Sequence, residues 1–364
     1  MPKTSISSLE LAALVNELQV LVKGKIAGIY QFDKEFLFQL HLQDQGKQFL
    51  RLVPGKFLCL TKKKESAAIP TEFCRQLRRH LEGGILKSLS QKESERIVVM
   101  DVEKKEKYQV IIELFSKGNL VVTDKEYRIL LLLEQQEWKD RTIKRGGKYH
   151  FPKPGADWKA LTEAELSALL QRSEKRNLVT ALATDLGLGG LYAEELCAVA
   201  GVDKNTIPAA LISSDVKSLQ RAVQKFLDNI KQPHGNLYDG EITPFPLKST
   251  LKSKNPAHQT VTYNEAIDTL TPFPKISPYE KKITAWQQTI QQQEQAIAGY
   301  EQSLADNTRK GEAVYEHYAA LQKLLDTVKQ WRLQKSWEEI AAELRKLRKI
   351  KQVNLKEKKV MVEL

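Results

Sequence analysis

Hydrophobic positions in the first 155 residues follow two different periods. Apolar residues three and four apart predict a helix that begins at the capping-box sequence Ser7-Ser8-Leu9-Glu10 and stops at Gly24. Alternation, clearest in residues 36–42, predicts a strand with one buried face. Further strands are expected at 26–31, 49–53, 57–61, 96–102, 108–115, 119–123 and 129–133. With a second helix at 70–82, this part of the chain is predicted to be an α+β domain with an antiparallel sheet.

Residues 158–231 carry helical patterns instead. A glycine-rich turn at 187–190 leads into an apolar helix, 191–200, which Gly201 closes. An amphipathic helix is predicted for residues 214–231. Beyond it, residues 244–278 are rich in proline, serine and threonine, which is typical of an extended return segment and linker.

The last long element is a heptad seam. Apolar residues alternate three and four apart from Ile283 to Val328, interrupted only at Gln293, Asn307 and Gly311. This spacing predicts a coiled-coil arm. A break at Gly311 would allow a hairpin, but we expect one continuous arm. Nothing later in the chain is long enough to return beside it, so its partner is open and a dimer through the coiled coil is one candidate.

Charge and cysteine content narrow the function classes. Lys and Arg outnumber Asp and Glu by 57 to 45, a net charge of +12, which favours a polyanionic partner, although solubility alone is the plainer explanation. Cys59, Cys74 and Cys197 have no metal-ligand spacing, so we expect no Cys-rich zinc site and no disulfide framework. We also expect no cofactor. No apolar signal core or membrane-length run occurs, and we therefore expect a cytoplasmic protein without membrane association.

A basic stripe on the second helix is a candidate nucleic-acid contact. Arg75, Arg78 and Arg79 lie three and four residues apart, opposite an apolar face, with His80 beside them. Arginine clusters suit bidentate phosphate recognition, and Lys87 extends the charge. A solvated helix face is the alternative.

The glycine turn is a second candidate. Gly187, Gly189 and Gly190 allow backbone N–H groups at the start of the next helix to meet a phosphate. Close helix packing would also require glycine, so both explanations stay open here. Tyr192, just inside the helix, is either a base-stacking residue or part of the core.

Several segments together resemble the NFACT family. Residues 111–124, which include Lys117 as another candidate nucleic-acid contact, are similar to the family's strand-turn-strand signature. Residues 7–11, 17–18 and 29–31 resemble its N-terminal motif, and residues 187–204 resemble its helix-two-turn-helix segment. Pro244-Phe245-Pro246 and the heptad seam follow in the family's order. The wording of residues 75–81 is similar to archaeal and eukaryotic members.

The resemblance implies a domain organisation. It comprises a formamidopyrimidine-glycosylase-like antiparallel β domain, a helix-two-turn-helix domain and a coiled-coil arm. In this chain the expected boundaries are 1–172, 173–235, a return segment and linker at 236–277, the arm at 278–352, and the start of a further domain at 353–364. The family's later RNA-binding module and returning coiled-coil helix are not expected here.

The resemblance also implies a function. Family members, which include the eukaryotic nuclear export mediator factor and RqcH-type proteins, bind large ribosomal subunits obstructed by peptidyl-tRNA. They recruit tRNA for template-free tailing of the stalled chain, using the ribosome's own peptidyl transferase centre. Large-subunit rRNA, tRNA and a ubiquitin-ligase or degradation partner are therefore the expected partners of an RNA-binding factor that is not an enzyme.

Family positions linked to tailing fall on Glu10, Glu95 and Arg96 in this chain, where the family often has Asp in place of Glu. Glu10 could instead only complete the capping box, and Glu95 with Arg96 could be an exposed ion pair. The alternative function is a DNA-repair glycosylase-like protein with Pro2 as nucleophile. Lys3 stands where those enzymes have a catalytic glutamate, so glycosylase activity is not expected. An adhesin, the third class, would require a signal peptide.

Overall fold

The computed structural model describes residues 3–62, 70–138, 141–238, 240–248, 258–271, 278–347, 350–354 and 359–362. The chain forms two compact units, residues 1–274 and residues 275–364. The predicted α+β class is confirmed by the first unit, which is built on one antiparallel sheet.

Nine strands form this sheet. In chain order they are β1 (Lys25–Phe32), β2 (Glu35–Leu42), β3 (Gly46–Val53), β4 (Phe57–Thr61), β5 (Ile85–Gln91), β6 (Ile97–Glu103), β7 (Lys107–Glu113), β8 (Asn119–Thr123) and β9 (Ile129–Leu132). Their spatial order is β4-β3-β2-β1-β5-β6-β7-β8-β9. Hairpin connections join sequential strands except between β4 and β5, where helix α2 (Glu72–Leu81) intervenes.

The central strands are buried on both faces. One face of β6, β7 and β8 joins the main core with helix α1 (Ser8–Leu18) and α2, while Ile97, Ile111 and Val121 on the other face form a second core. Tyr127, Ile143, Tyr149 and Phe151 cover this second core. The same part of the chain contains two short antiparallel strands, β10 (Gln136–Trp138) and β11 (Arg141–Ile143). Strands that are buried on both faces have continuous apolar runs instead of alternation. Alternation in β6, β7 and β8 therefore could not indicate that a second layer of chain covers their outer face.

The helical part of the first unit contains four helices. They are α3 (Glu163–Arg172), α4 (Leu178–Thr184), α5 (Gly190–Ala200) and α6 (Ser213–Asn229). Residues 185–189 connect α4 to α5, and Gly201 ends α5 with a φ of 71°. Buried Leu182, Leu196 and Phe226 join these helices to the main core.

The return segment packs back onto the sheet. Strands β12 (Gly235–Leu237), β13 (Ile242–Thr243) and β14 (His258–Thr260) form a small sheet in the order β13-β12-β14. Helix α7 (Tyr263–Asp268) follows, and its Asn264 Oδ1 accepts a hydrogen bond of 2.8 Å from Leu60 N on the edge strand β4. Residues 239, 249–257 and 272–277 of the predicted return segment and linker lie outside the described residues.

The second unit consists of a long helical arm and a small α-ββ element. Helix α8 (Pro278–Glu316) runs through Gly311, and a single non-helical residue, His317, separates it from α9 (Tyr318–Trp331). Helix α10 (Trp337–Arg345) buries Ile340 and Leu344 and is followed by the hairpin of β15 (Ile350–Asn354) and β16 (Lys359–Val362). Among the described residues, none of the helices combines the length and apolar character that a bilayer crossing requires.

Candidate nucleic-acid interface

A cleft of ≈ 450 Å³ lies where α1, the β5–β6 turn and the α4–α5 turn meet. It is lined by Ser7, Ser8, Ser94, Glu95, Arg96, Gly155, Ala156 and residues 183–189. The structure therefore brings together Glu95, Arg96, Gly187 and Gly189, which the sequence had placed in two separate candidate groups. We call this site the inter-helix cleft.

The first wall of the inter-helix cleft is the start of α1. Ser7 caps the helix, since its Oγ accepts from Glu10 N at 3.3 Å and Glu10 Oε2 accepts from Ser7 N at 2.8 Å. Ser8 Oγ accepts from Trp158 Nε1 at 3.0 Å and donates to the carbonyl oxygen of Ser94. These bonds fix the N-terminus of α1 against the β5–β6 turn.

Glu95 and Arg96 lie in that turn, and both are partly exposed. Glu95 Oε1 accepts from Gly155 N at 2.9 Å, and Arg96 Nη1 donates to Ile6 O at 3.5 Å. Within the described chain the two side chains do not pair with each other, so the exposed ion pair is not their role. Burial lowers the pKa of Arg96, which Glu95 opposes. A guanidinium has five N–H donors, and among the described residues the Arg96 side chain uses one, in the bond to Ile6 O, so the others can meet a ligand.

The opposite wall is the start of α5. Gly187 and Gly189 adopt φ values of 74° and 77°, which other residues rarely tolerate. A Cβ added at Gly187, Gly189 or Gly190 would meet no described atom within 4 Å. Close packing therefore does not explain these glycines. In the described part of the chain no side chain caps α5, so its first N–H groups remain open to an anion.

Glu10 and Tyr192 lie behind the inter-helix cleft. Glu10 is 1% exposed, and its Oε1 accepts from the Tyr192 hydroxyl at 2.7 Å and from Lys3 Nζ. Tyr192 is also 1% exposed, and burial, followed by the nearby Glu10 charge, raises its pKa well above the usual value. The ring packs against Phe226 and Phe245, so it is closed off from a base in this structure.

The predicted basic stripe is partly used inside the fold. Arg78 Nε donates to Ile29 O at 2.7 Å, and its guanidinium carbon lies 5.5 Å from the centre of the Tyr30 ring. Arg75 donates to Glu72 Oε2 through Nε at 2.9 Å and through Nη2 at 2.6 Å. Arg79 is exposed and is the member of the stripe best placed to meet a phosphate.

His80 and Lys87 contribute less charge than the sequence indicates. Burial, followed by the charge of Arg79, lowers the pKa of His80 below 6.5, so its ring is mainly neutral near neutral pH. The ring packs edge-on against Tyr108 at 5.4 Å. Lys87 Nζ lies 2.7 Å from Glu103 Oε2.

Arg75, Arg78, Arg79 and Lys87 form a surface that we call the basic surface. The inter-helix cleft and the basic surface lie at opposite ends of β6. Lys104, in the β6–β7 turn, donates to Arg79 O at 3.0 Å, whereas Glu95 and Arg96 precede the first residue of β6. Seven strand residues separate the two ends, a distance of roughly 20 Å. Lys117 is exposed in the β7–β8 turn, at the same end as the cleft because Glu113 pairs with Ile97.

Sequence reasoning assigned neither Lys3 nor Trp158 to the site. Lys3 Nζ donates to Ile242 O at 2.7 Å and pairs with Glu10, which ties the N-terminal segment to β13. Neither residue belongs to a periodic pattern. The sequence indicated only their partners, Glu10 and Ser8, through the capping box at the start of α1. Pro2, the nucleophile of the glycosylase alternative, lies outside the described residues. No cluster of metal-ligating side chains occurs in the residues that the structure describes.

Known proteins are similar to this chain over most of its length. Archaeal Rqc2 homolog aRqcH from Methanocaldococcus jannaschii is 25% identical over 367 residues, which cover 93% of this chain and 54% of that protein. Ribosome quality control complex subunit NEMF from Mus musculus is 26% identical over 330 residues, covering 85% of this chain and 31% of NEMF. This chain thus spans about half of the archaeal relative and a third of the mouse one.

Solved structures share the fold. The fibrinogen binding protein from Staphylococcus aureus has a TM-score of 0.59 and 21% identity, covering 72% of this chain and 97% of that one. The N-terminal part of a fibronectin/fibrinogen-binding protein from Streptococcus suis has a TM-score of 0.58 and 20% identity, covering 72% and 98%. The family described as NFACT N-terminal and middle domains matches residues 7–363. With almost its whole length matched, this chain belongs to the NFACT family.

Proposed function

We propose that this chain is part of a ribosome-associated quality control factor that binds obstructed large ribosomal subunits carrying peptidyl-tRNA. Membership of the NFACT family supports the proposal, as do the names of the relatives, an Rqc2 homolog and a ribosome quality control complex subunit. The net charge of +12 is consistent with rRNA and tRNA as partners. A cytoplasmic location follows from this role.

The observation that carries the proposal is the chemistry of the inter-helix cleft. Arg96 and the open N–H groups of α5 can donate to phosphate oxygens, while the Glu95 carboxylate can accept from a ribose hydroxyl or an exocyclic amine. Asp185 adds a second carboxylate to the lining, so charge attraction alone would not hold a phosphate there. Donors and acceptors side by side suit an RNA backbone better than an isolated phosphate.

Within this role, the inter-helix cleft holds the tRNA that is recruited for template-free tailing of the stalled chain. Bond formation uses the ribosome's own peptidyl transferase centre, and the chain supplies no catalytic group. Glu95 and Arg96 contact the tRNA directly. Glu10 is buried and acts through the helices that form the cleft. The second unit then contacts the large subunit or a ubiquitin-ligase or degradation partner.

Arg96→Ala tests the cleft directly. We expect the dissociation constant for fluorescein-labelled tRNA to rise about tenfold or more, because a hydrogen bond to a charged group contributes roughly 1.5–3 kcal/mol. The slope of log affinity against log salt should fall by about one phosphate contact. Fluorescence anisotropy over a salt series measures both.

Arg309→Ala is the control. Arg309 is an exposed arginine on α8, in the second unit, to which the proposal assigns no contact with tRNA. Equal losses in both variants, or none in Arg96→Ala, would remove the cleft from the proposal. Competition by duplex DNA as strong as that by tRNA would favour the glycosylase-like alternative.

A further inference from the structure

One hydrogen bond joins the first turns of two helices that begin at the inter-helix cleft. Glu10 is the third residue of α1 and Tyr192 is the third residue of α5. The Tyr192 hydroxyl donates to Glu10 Oε1 at 2.7 Å. Because α1 starts from Ser7 at one wall and α5 starts from Gly189 at the other, the bond connects the two walls.

The carboxylate in this bond is fully engaged inside the protein. Glu10 receives hydrogen bonds from Ser7 N at 2.8 Å, from Lys3 Nζ and from Tyr192. Lys3 has 8% of its side chain exposed and also donates to Ile242 O at 2.7 Å. A buried charge persists only with such compensation. Glu10 therefore does not reach an RNA in the cleft, and any effect it has must pass through the elements it holds.

Tyr192 is held at both ends. Its ring centre lies 6.4 Å from that of Phe226 on α6 and 6.0 Å from that of Phe245 in the return segment. With the ring fixed by the core and the hydroxyl fixed by Glu10, the first turn of α5 cannot shift relative to α1 without breaking a contact.

We propose that Lys3, Glu10 and Tyr192 are positioning residues that set the spacing of the α1 and α5 N-termini and thereby the affinity of the cleft for RNA. The inference rests on the proposed function of the cleft. An RNA backbone that meets Arg96 on one wall and the N–H groups of α5 on the other requires both at a fixed separation. Small misplacements of such groups are costly.

Tyr263 offers a matched control inside the same core. It is 0% exposed, and within the described chain its hydroxyl has no hydrogen-bond partner. Tyr263→Phe therefore removes the same buried atom as Tyr192→Phe without breaking a bond to Glu10. Lys3→Arg is a conservative change that keeps the charge beside Glu10, and it should behave like the unmodified protein.

The spacing itself is measured by electron paramagnetic resonance. Spin labels at Ser90→Cys, exposed on β5, and Ala198→Cys, exposed on α5, report the distance between α5 and the strand whose following turn is bonded to the start of α1. The native cysteines are buried and so compete poorly for the label. We expect Tyr192→Phe to broaden the distance distribution and Tyr263→Phe to leave it unchanged. Equal widths in the two variants would overturn the positioning role.

The link to affinity is measured with the full chain and labelled tRNA, at a temperature where melting curves show every variant folded. If losing the bond leaves about a tenth of the molecules with the walls correctly spaced, the dissociation constant rises about tenfold. Tyr263→Phe should change it less than about twofold. A broadened distribution with unchanged affinity would overturn the link. Failure of the unmodified protein to bind tRNA would instead overturn the proposed function, and the distance distributions alone would then decide the positioning role.

Discussion

Single charges in this protein act according to what surrounds them. Glu10 and Glu95 are both acidic residues near the same cleft, yet Glu10 is 1% exposed and Glu95 lies in an accessible turn. The buried one must be neutralised by the protein, and the accessible one can be satisfied by a ligand. Their side chains are chemically identical, so the difference arises only from their neighbours.

Removing the positively charged partner of a buried carboxylate should lower the free energy of unfolding. In Lys3→Met, Glu10 keeps two hydrogen-bond donors but loses its counter-charge, and we expect unfolding to become easier by about 3 kcal/mol. Urea unfolding of the single variant measures this. The double variant Lys3→Met with Glu10→Gln has no buried charge and should recover part of the loss. A double variant less stable than Lys3→Met would contradict this account.

Arg78 and Arg79 should respond differently to charge reversal. Arg79→Glu should weaken tRNA binding and leave the melting temperature near that of the wild type, because the side chain is exposed. Arg78→Glu should lower the melting temperature, because it loses the bond to Ile29 O and the contact with Tyr30. Calorimetry alongside anisotropy separates the two effects. Unchanged tRNA binding by folded Arg79→Glu would exclude this surface.

His80 gives the stability a pH dependence. Since burial lowers its pKa, the unfolded chain binds a proton that folded His80 resists, and stability falls as the pH drops through 6.5 and below. His80→Gln removes this contribution. We expect the melting temperature of His80→Gln minus that of the wild type to become more positive as the pH is lowered from about 7.5 to about 5.5. A constant difference would mean that His80 titrates normally.

At the scale of elements, some turns strictly limit which residues they can contain. Gly118 has a φ of 74°, and a Cβ there would lie 2.0 Å from Gly55 N, backbone against backbone. Gly46 has a similar φ of 65°, but a Cβ there would meet nothing within 4 Å. The two glycines therefore share a left-handed φ and differ in the space around them.

This pair makes a direct prediction. Gly46→Ala should cost about 1 kcal/mol of stability, the penalty for a left-handed backbone. Gly118→Ala adds a clash that no flexible side chain can relieve, so its loss should be several-fold larger and accompanied by rearrangement of the 54–56 turn. Urea unfolding of both variants gives the comparison. Equal losses would mean that the two turns can separate freely.

The helices and strands also show which parts of the fold sequence patterns can predict. Capping residues located the start of α1 to within a residue, but the helix ends at Leu18 and not at the predicted Gly24. Alternation located most strands, and the glycine turn located α5. The second core was missed because strands buried on two sides lose their alternation. The inter-helix cleft could be anticipated only in parts: Arg96 and Gly187 lie far apart in the chain, and the pairing of α1 with α5 depends on packing that no local pattern encodes.

At the scale of the whole molecule, the two units differ in how they are stabilised. The first unit has one large core and a second smaller one, whereas the described residues of the second unit bury only Ile340, Ala341 and Leu344 among apolar side chains. Ile283, Tyr300 and Leu304 on the arm are 50%, 75% and 71% exposed. Isolated helices gain little stability without packing.

Heating should therefore unfold the chain in two steps. Circular dichroism should detect an early loss of helix from the second unit, followed by the cooperative melting of the first. Limited proteolysis during the first step should cut the arm and spare the sheet. One transition with all probes coincident would show that the arm has a partner that protects it.

The separation of the inter-helix cleft and the basic surface along β6 has a consequence for ligand size. A mononucleotide can occupy only one of two sites roughly 20 Å apart, whereas a folded RNA can engage both. If both sites bind, the second contact becomes intramolecular, and avidity favours the large ligand without any tighter contact. The rigid strand between them would then serve as a molecular ruler, which distinguishes folded RNA from its degradation fragments by length alone.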